Sequence, residues 1–278
     1  MTTDFGVDIS GDGVPESGAD VANAVAIQPD GKIVVAGHAH TPRGIGLGFE
    51  NDFAVARFRD DGTLDTDFGD QGKVTTDLGS DTDLGQDVAV QPDGRIVLAG
   101  EVEFGDDFAL VRYEPDGRSL DPSFAGGVVV TDFGGSEGIR GIAIQADGRI
   151  LAAGDSSAHG DTTDFAVTRY EANGTLDQGF GGLFSDHLVT TDVSGDIPFG
   201  HDFAEDVAVQ PDGKTVLVGR DTSDTFADFA LTRYTSDGTL DASFAEEGIL
   251  TVDFHGSGDI GKDVAIQPDG KLVAPATP

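Results

Sequence analysis

The chain has 278 residues, with 51 Asp and Glu against 16 Lys and Arg and a formal charge of −35. Such a surface repels duplex nucleic acid and anionic membranes, which bind through clustered Lys and Arg, so neither is an expected partner. The absence of Cys excludes disulfides and Cys-based zinc sites, and 41 Gly without a three-residue period point to many tight turns.

From the N-terminus, MTTDFGVDIS carries neither a basic region nor an apolar run, so no signal peptide is read there. No stretch approaches the length of a membrane span. Asp8, Ser10, Asp12 and Glu16 follow the first half of a calcium loop, in which alternate side chains face one ion. Ala19 stands where the loop's bidentate acid belongs, and Asp20 is its substitute. The cofactor expectation is therefore none, or Ca2+ at Asp8–Asp20, with an acidic surface loop as the alternative.

Three phrases then recur in fixed order. Gln-Pro-Asp-Gly begins at Gln28, Gln91, Gln210 and Gln267, with Gln-Ala-Asp-Gly at Gln145. Asp-Phe-Ala begins at Asp52, Asp107, Asp164 and Asp228, and Leu-Asp-x-x-Phe at Leu64, Leu120, Leu176 and Leu240. The mean period is close to 60 residues. Each unit reads as four short strands rich in Val, Ile, Thr and Phe. In the second unit, strand a is 87–91, strand b 95–100, strand c 107–113 and strand d 128–134. Pro-Asp-Gly joins a to b, with Pro presetting φ and Gly free to take positive φ.

A small sheet of this kind cannot cover both of its own faces, and radial stacking of tandem sheets does so. The expectation is one all-β domain over 1–278, a β-propeller of about five four-stranded blades. Its units are approximately 20–79, 80–134, 135–194 and 195–254, followed by a partial unit 255–278. That last blade is either incomplete or closed by the N-terminal strand, because 2–6 matches the end of strand d. A linear β-solenoid is the second architecture. Residues 107–134 and 206–219 resemble the delta-sixty repeat, a β-propeller repeat. The resemblance covers nearly the whole chain and implies the fold, but no general biochemical activity.

In such blades the a–b and c–d turns share one end, while the b–c loops and d–a crossovers share the other. The turns here are near copies, and the loops vary. Variation on a fixed scaffold marks the binding face. His38, His40, Phe104, His159, Phe199, His201, Phe226 and His255 fall on it. Asp87, Asp206 and Asp263 are read as the first residues of strand a, converging at a channel mouth with Glu205 beside them. Crowded carboxylates there bind a cation, or at roughly 5–9 Å separation hydrolyse a glycoside. Alternatively, each Asp caps its own strand. The third unit has Gly141 at this position and the first is read as having Asn23. Arg57, Arg112, Arg169 and Arg233 repeat on strand c and are expected to pair with Asp77, Asp132, Asp192 and Asp253 on strand d. The two Phe series, one from Asp-Phe-Ala and one from Leu-Asp-x-x-Phe, are expected in the core.

The functional expectation is a non-catalytic binding or structural module with a halophile-type acidic surface, extracellular or on the cell surface. Its ligand is a glycan or a protein. A polysaccharide-acting glycosidase or lyase using Asp87, Asp206, Asp263 and Glu205 is the alternative, as is a fragment of a larger repeat array. Oligomeric state is not read from the sequence.

Overall fold

Alternating apolar residues in each unit do form a four-stranded sheet, and the strand limits explain how neighbouring blades fit. The computed structural model describes residues 20–42, 49–102, 107–158, 162–182, 187–195, 200–222, 226–254 and 258–277. The expected N-terminal strand at 2–6 lies outside them. The chain divides into two compact units, Met1–Thr131 and Asp132–Pro278.

The first unit holds β1 (Val21–Ile27), β2 (Ile33–Pro42), β3 (Phe49–Phe58) and β4 (Lys73–Thr76). These are followed by β5 (Leu84–Val90), β6 (Ile96–Val102), β7 (Asp107–Tyr113) and β8 (Val128–Thr131). The second unit holds β9 (Glu137–Ile144), β10 (Ile150–Ser156), β11 (Asp164–Tyr170) and β12 (Leu188–Thr191). Next come β13 (Asp202–Val209), β14 (Thr215–Asp221), β15 (Asp228–Tyr234) and β16 (Ile249–Val252). Each set of four is an antiparallel sheet in chain order. The last described segment is a broken hairpin: β17 (Ile260–Gly261) pairs with β20 (Ala276–Thr277), and β18 (Ala265–Ile266) with β19 (Leu272–Val273).

Strands b and c are the apolar runs because both their faces are covered; β6 and β10 are buried along their whole length. Phe53, Phe68, Phe108, Phe124, Phe165 and Phe180 are fully buried, as expected of both Phe series. The Pro-Asp-Gly turns form as read. The Gln28 amide donates to the Lys32 carbonyl at 2.8 Å, and Gly31 takes a φ of +86°.

Two features differ from the sequence reading. Strand a begins upstream, at Leu84 rather than Asp87 and at Asp202 rather than Asp206, and carries a β-bulge. The bulge falls between Ala22 and Ala24, between Gly85 and Asp87, and between Ala204 and Asp206. One extra residue there kinks the strand toward its neighbour. This accounts for the glycine that ends the strand-b phrase in each of the four four-stranded sheets: a Cβ on Gly219 would lie 1.9 Å from the Phe203 carbonyl oxygen, and one on Gly100 2.0 Å from that of Leu84.

The repeated arginines also choose a different partner. Arg57, Arg112, Arg169 and Arg233 donate through Nε to Asp65, Asp121, Asp177 and Asp241 at 2.7–2.9 Å. These are the aspartates of Leu-Asp-x-x-Phe, not those of strand d. The register gives the reason. Phe53 pairs with Thr76, so Asp77 sits beside Asp52, five residues and about 17 Å from Arg57 along an extended strand. Each guanidinium also lies 4.4–4.6 Å over the Phe of the same phrase. Arg57 and Arg169 reach onward to the Pro115 and Ser236 carbonyls of the following blade, both at 2.6 Å. The arginine series therefore locks blade to blade within each unit.

Candidate functional site

The bulge places one polar side chain per blade at otherwise repeated backbone positions. These residues are Asn23, Gln86, Arg140 and Glu205. Each of the last three faces the residue that follows the strand-b glycine. Gln86 meets Glu101 at 3.4 Å, Arg140 meets Asp155 at 3.4 Å, and Glu205 meets Arg220 at 2.6 Å. Neighbours also touch: Asn23 donates to Gln86 at 3.3 Å, and Lys262 pairs with Glu205 at 2.9 Å. Each unit thus carries a line of interlocked polar side chains whose identities change from blade to blade.

Of the four carboxylates considered for catalysis, Asp87, Asp206 and Glu205 are engaged in structural contacts. Asp206 accepts the Val264 amide at 2.8 Å, and Asp87 accepts the Val88 amide at 2.7 Å. Glu205 is held by Arg220 and Lys262. Asp263 is exposed. Asp87 and Asp206 follow the bulge rather than opening the strand, and the equivalent residue of the first blade is Ala24, not Asn23.

His38, on strand b, is half-buried, and burial lowers its pKa. His40 stacks on Phe49 at 4.8 Å, and its Nδ1 lies 3.2 Å from the Asn51 side-chain oxygen. Asp20 accepts the His40 amide at 3.1 Å. His201 accepts the Thr163 amide at 3.0 Å. Phe226 is 54% exposed, and Phe254 is 44% exposed. Phe104, His159, Phe199 and His255 lie outside the described residues, as do Asp8, Ser10, Asp12 and Glu16.

The loop end also gathers acids that the sequence reading had assigned elsewhere or passed over. Strand c opens with an Asp, another Asp follows strand d, and an acid opens the next strand a. The main-chain amides of Asp83, Asp202 and Asp259 donate to the carbonyls of Asn51, Thr163 and Ala227 at 2.6–2.9 Å. That bond carries the d–a crossover back beside the start of strand c. Carboxylate oxygens of Asp164, Asp192 and Asp202 consequently lie within 4.8 Å of one another. The same holds for Glu50, Asp52 and Asp77, and for Asp228, Asp253 and Asp259.

The buried acid that precedes or opens the next strand a also closes the crossover turn. Asp202 accepts the amides of Val193 and Ser194 at 2.7 and 3.0 Å, Asp83 that of Leu78 at 2.7 Å, and Asp259 that of Phe254 at 2.8 Å. Burial pushes the Asp202 carboxyl up to about 7 against those two amides, and Asp221 and Asp192 add to the rise. Burial likewise raises Asp52 to about 6, opposed by the Thr41 hydroxyl and reinforced by Asp77 and Glu50. A sequence signal for these sets does exist: the Asp of Asp-Phe-Ala and the Asp after strand d recur in each, whereas Glu50 is particular to the first blade.

Among curated proteins no relative matches the chain. Of solved structures, a puromycin hydrolase is similar at 15% identity over 94% of this chain and 36% of its own, with a TM-score of 0.51. The chain therefore spans about a third of that protein's length. A GH43 endo-arabinanase from Bacillus licheniformis is 15% identical over 94% of this chain and 90% of its own, with a TM-score of 0.44. A putative oxidoreductase (glucose dehydrogenase) from Thermus thermophilus is 16% identical over 92% and 90%, with a TM-score of 0.46. At such identities the likeness to the hydrolase is one of fold alone. The family model described as "Domain of unknown function (DUF5122) beta-propeller" matches 28–68, 91–124, 145–180 and 210–244, one match per four-stranded sheet. Those matches cover just over half of the residues, and the chain belongs to this β-propeller family.

Proposed function

We propose that the chain is a non-catalytic recognition module whose ligand docks at the loop end of the blades. The observation that carries this reading is the bulge residues within each unit: the surrounding backbone repeats while Asn23 and Gln86 in the one unit, and Arg140 and Glu205 in the other, differ. Diversity at fixed geometry is how a repeat scaffold builds specificity. Amide, guanidinium and carboxylate groups at these positions suit a polyhydroxylated glycan, and a polar protein surface is the second ligand class. Catalysis by Asp87, Asp206 or Glu205 is disfavoured because an amide or a cation already engages each of them. The repeats are of the delta-sixty type that 107–134 and 206–219 resemble. The charge of −35 fits a halophile-type surface facing a saline exterior, where molar salt shortens the Debye length to about 3 Å.

A polysaccharide panel tested in molar KCl, for retention and for release of reducing ends, checks the proposal. The expected result is retention without release, weakened at least tenfold by Arg140→Ala with Lys262→Ala; these side chains are 38% and 47% exposed. Release of reducing ends that Asp206→Asn abolishes would overturn it in favour of the hydrolase.

A further inference from the structure

The carboxylate sets at the loop end have no counterpart in that recognition line, and they contain a specific deficit. Asp202 is fully buried. Its Oδ2 takes the Val193 and Ser194 amides, but its Oδ1 is buried without any hydrogen-bond partner. Asp52, in the other unit, is 5% exposed and repeats the pattern: Thr41 donates to its Oδ2, while Oδ1 is buried and unpaired. A buried carboxylate oxygen left unmatched is costly, and a second and third acid close by increase the cost. Among the described residues no Lys or Arg pairs with Asp52, Asp77, Asp192 or Asp202. The missing partner is positive charge.

We propose that Asp164, Asp192 and Asp202 bind a calcium ion, and that Glu50, Asp52 and Asp77 bind a second in the same way. The chemistry of the donors selects the ion: they are all hard oxygens, which suit calcium or magnesium rather than a softer metal. Calcium holds its oxygens at roughly 2.3–2.6 Å, so two ligands across one ion are about 4.6–5.2 Å apart. The oxygens of each set lie within 4.8 Å of one another, a spacing that one calcium ion can share. Magnesium demands a tight octahedron at roughly 2.0–2.1 Å and parts with its water reluctantly. Access is open on one side, since Asp77 and Asp192 are exposed while Asp52 and Asp202 are buried. At Asp164, Asp192 and Asp202 a bound ion would tie the start of strand c, the end of strand d and the next strand a together; at Glu50, Asp52 and Asp77 it would tie strand c to the end of strand d. The sites are independent of which ligand the loop end recognises.

Calorimetric titration of the EDTA-treated full chain with CaCl2, at constant high KCl concentration, tests this. The expected isotherm is saturable, with two ions per chain. Asp192→Asn and Asp77→Asn each remove one equivalent or weaken it at least tenfold, and both change exposed members that leave the buried latch intact. Asp67→Asn, on a side chain 83% exposed and in neither set, leaves the isotherm unchanged. The proposal is overturned if binding does not saturate, if the Asp77→Asn/Asp192→Asn double variant titrates like the parent, or if MgCl2 binds as tightly as CaCl2.

Discussion

At the turn end of the second blade, Asp121 is 2% exposed and meets two guanidinium groups, Arg112 at 2.6 Å and Arg95 at 2.9 Å. At the loop end of the second unit, on the crossover from β12 to β13, Asp202 is equally buried and meets two more carboxylates. Burial pushes both carboxyls up. For Asp121 the Ser123 hydroxyl and amide and the Arg112 guanidinium outweigh burial and hold the pKa below the usual range. For Asp202 burial prevails, and the neighbouring acids reinforce it. One residue type in one repeat is thus compensated at one end of the blade and uncompensated at the other. Compensated burial builds a scaffold, whereas uncompensated burial marks a place that awaits a ligand.

The largest expected effect lies at the compensated end. Asp121→Ala strands Arg112, which is itself 5% exposed, in the core. Removing one partner of a buried pair typically costs about 3–5 kcal/mol. Denaturant unfolding is expected to show a loss of that size, together with a lower midpoint. A change below about 1 kcal/mol would mean that Gln91 and Ser123 alone satisfy the guanidinium.

The opposite pKa shifts predict opposite pH responses. Asp202 is raised to about 7, above an unfolded value of roughly 3.9. The folded state therefore holds this proton more tightly. Stability falls as pH rises from about 4 toward 7, by at most about 1.4 kcal/mol per pH unit for this group. Asp65, Asp121, Asp177 and Asp241 are lowered, so their contribution is present above about 4 and is lost as pH falls below it. In EDTA, melting temperature is expected to peak in mild acid and decline toward pH 8. Asp202→Asn should flatten the upper limb and leave the acid limb in place. An upper limb that persists unchanged in Asp202→Asn would assign it to general repulsion among the 51 acidic residues instead.

The blades were legible because three phrases recur in one order, and a repeat of short apolar strands has few ways to bury both faces. The bulge was not, because it is a main-chain event; its trace was the glycine at Gly37, Gly100, Gly154 and Gly219, each forced by a carbonyl at 1.8–2.0 Å. The arginine partner was misread because both aspartate series share the period of the arginines. Periodicity identifies candidates, but the register, with Phe53 opposite Thr76, decides between them. The acidic sets escaped for a related reason. Asp164 and Asp202 are separated by two strands and two connections, and the bonds from the Asp202 amide to the Thr163 carbonyl and from the Thr163 amide to His201 bring them together.

The smallest expected effect compares one position in a four-stranded blade and in the final described hairpin. Lys214 and Lys271 both follow a Pro-Asp-Gly turn and begin strand b. Lys214 reaches Asp241 at 2.9 Å, joining Arg233 around a carboxylate that is 7% exposed. Lys271 pairs with Asp269 of its own turn, and the two side chains are 75% and 52% exposed. An exposed pair contributes little, because water already screens both charges. A second cation on a buried carboxylate sits in lower dielectric and should contribute about 1 kcal/mol. Lys214→Met is therefore expected to lower stability measurably, and Lys271→Met to leave it within error. Equal losses would show that Lys271, like Lys214, meets a buried carboxylate.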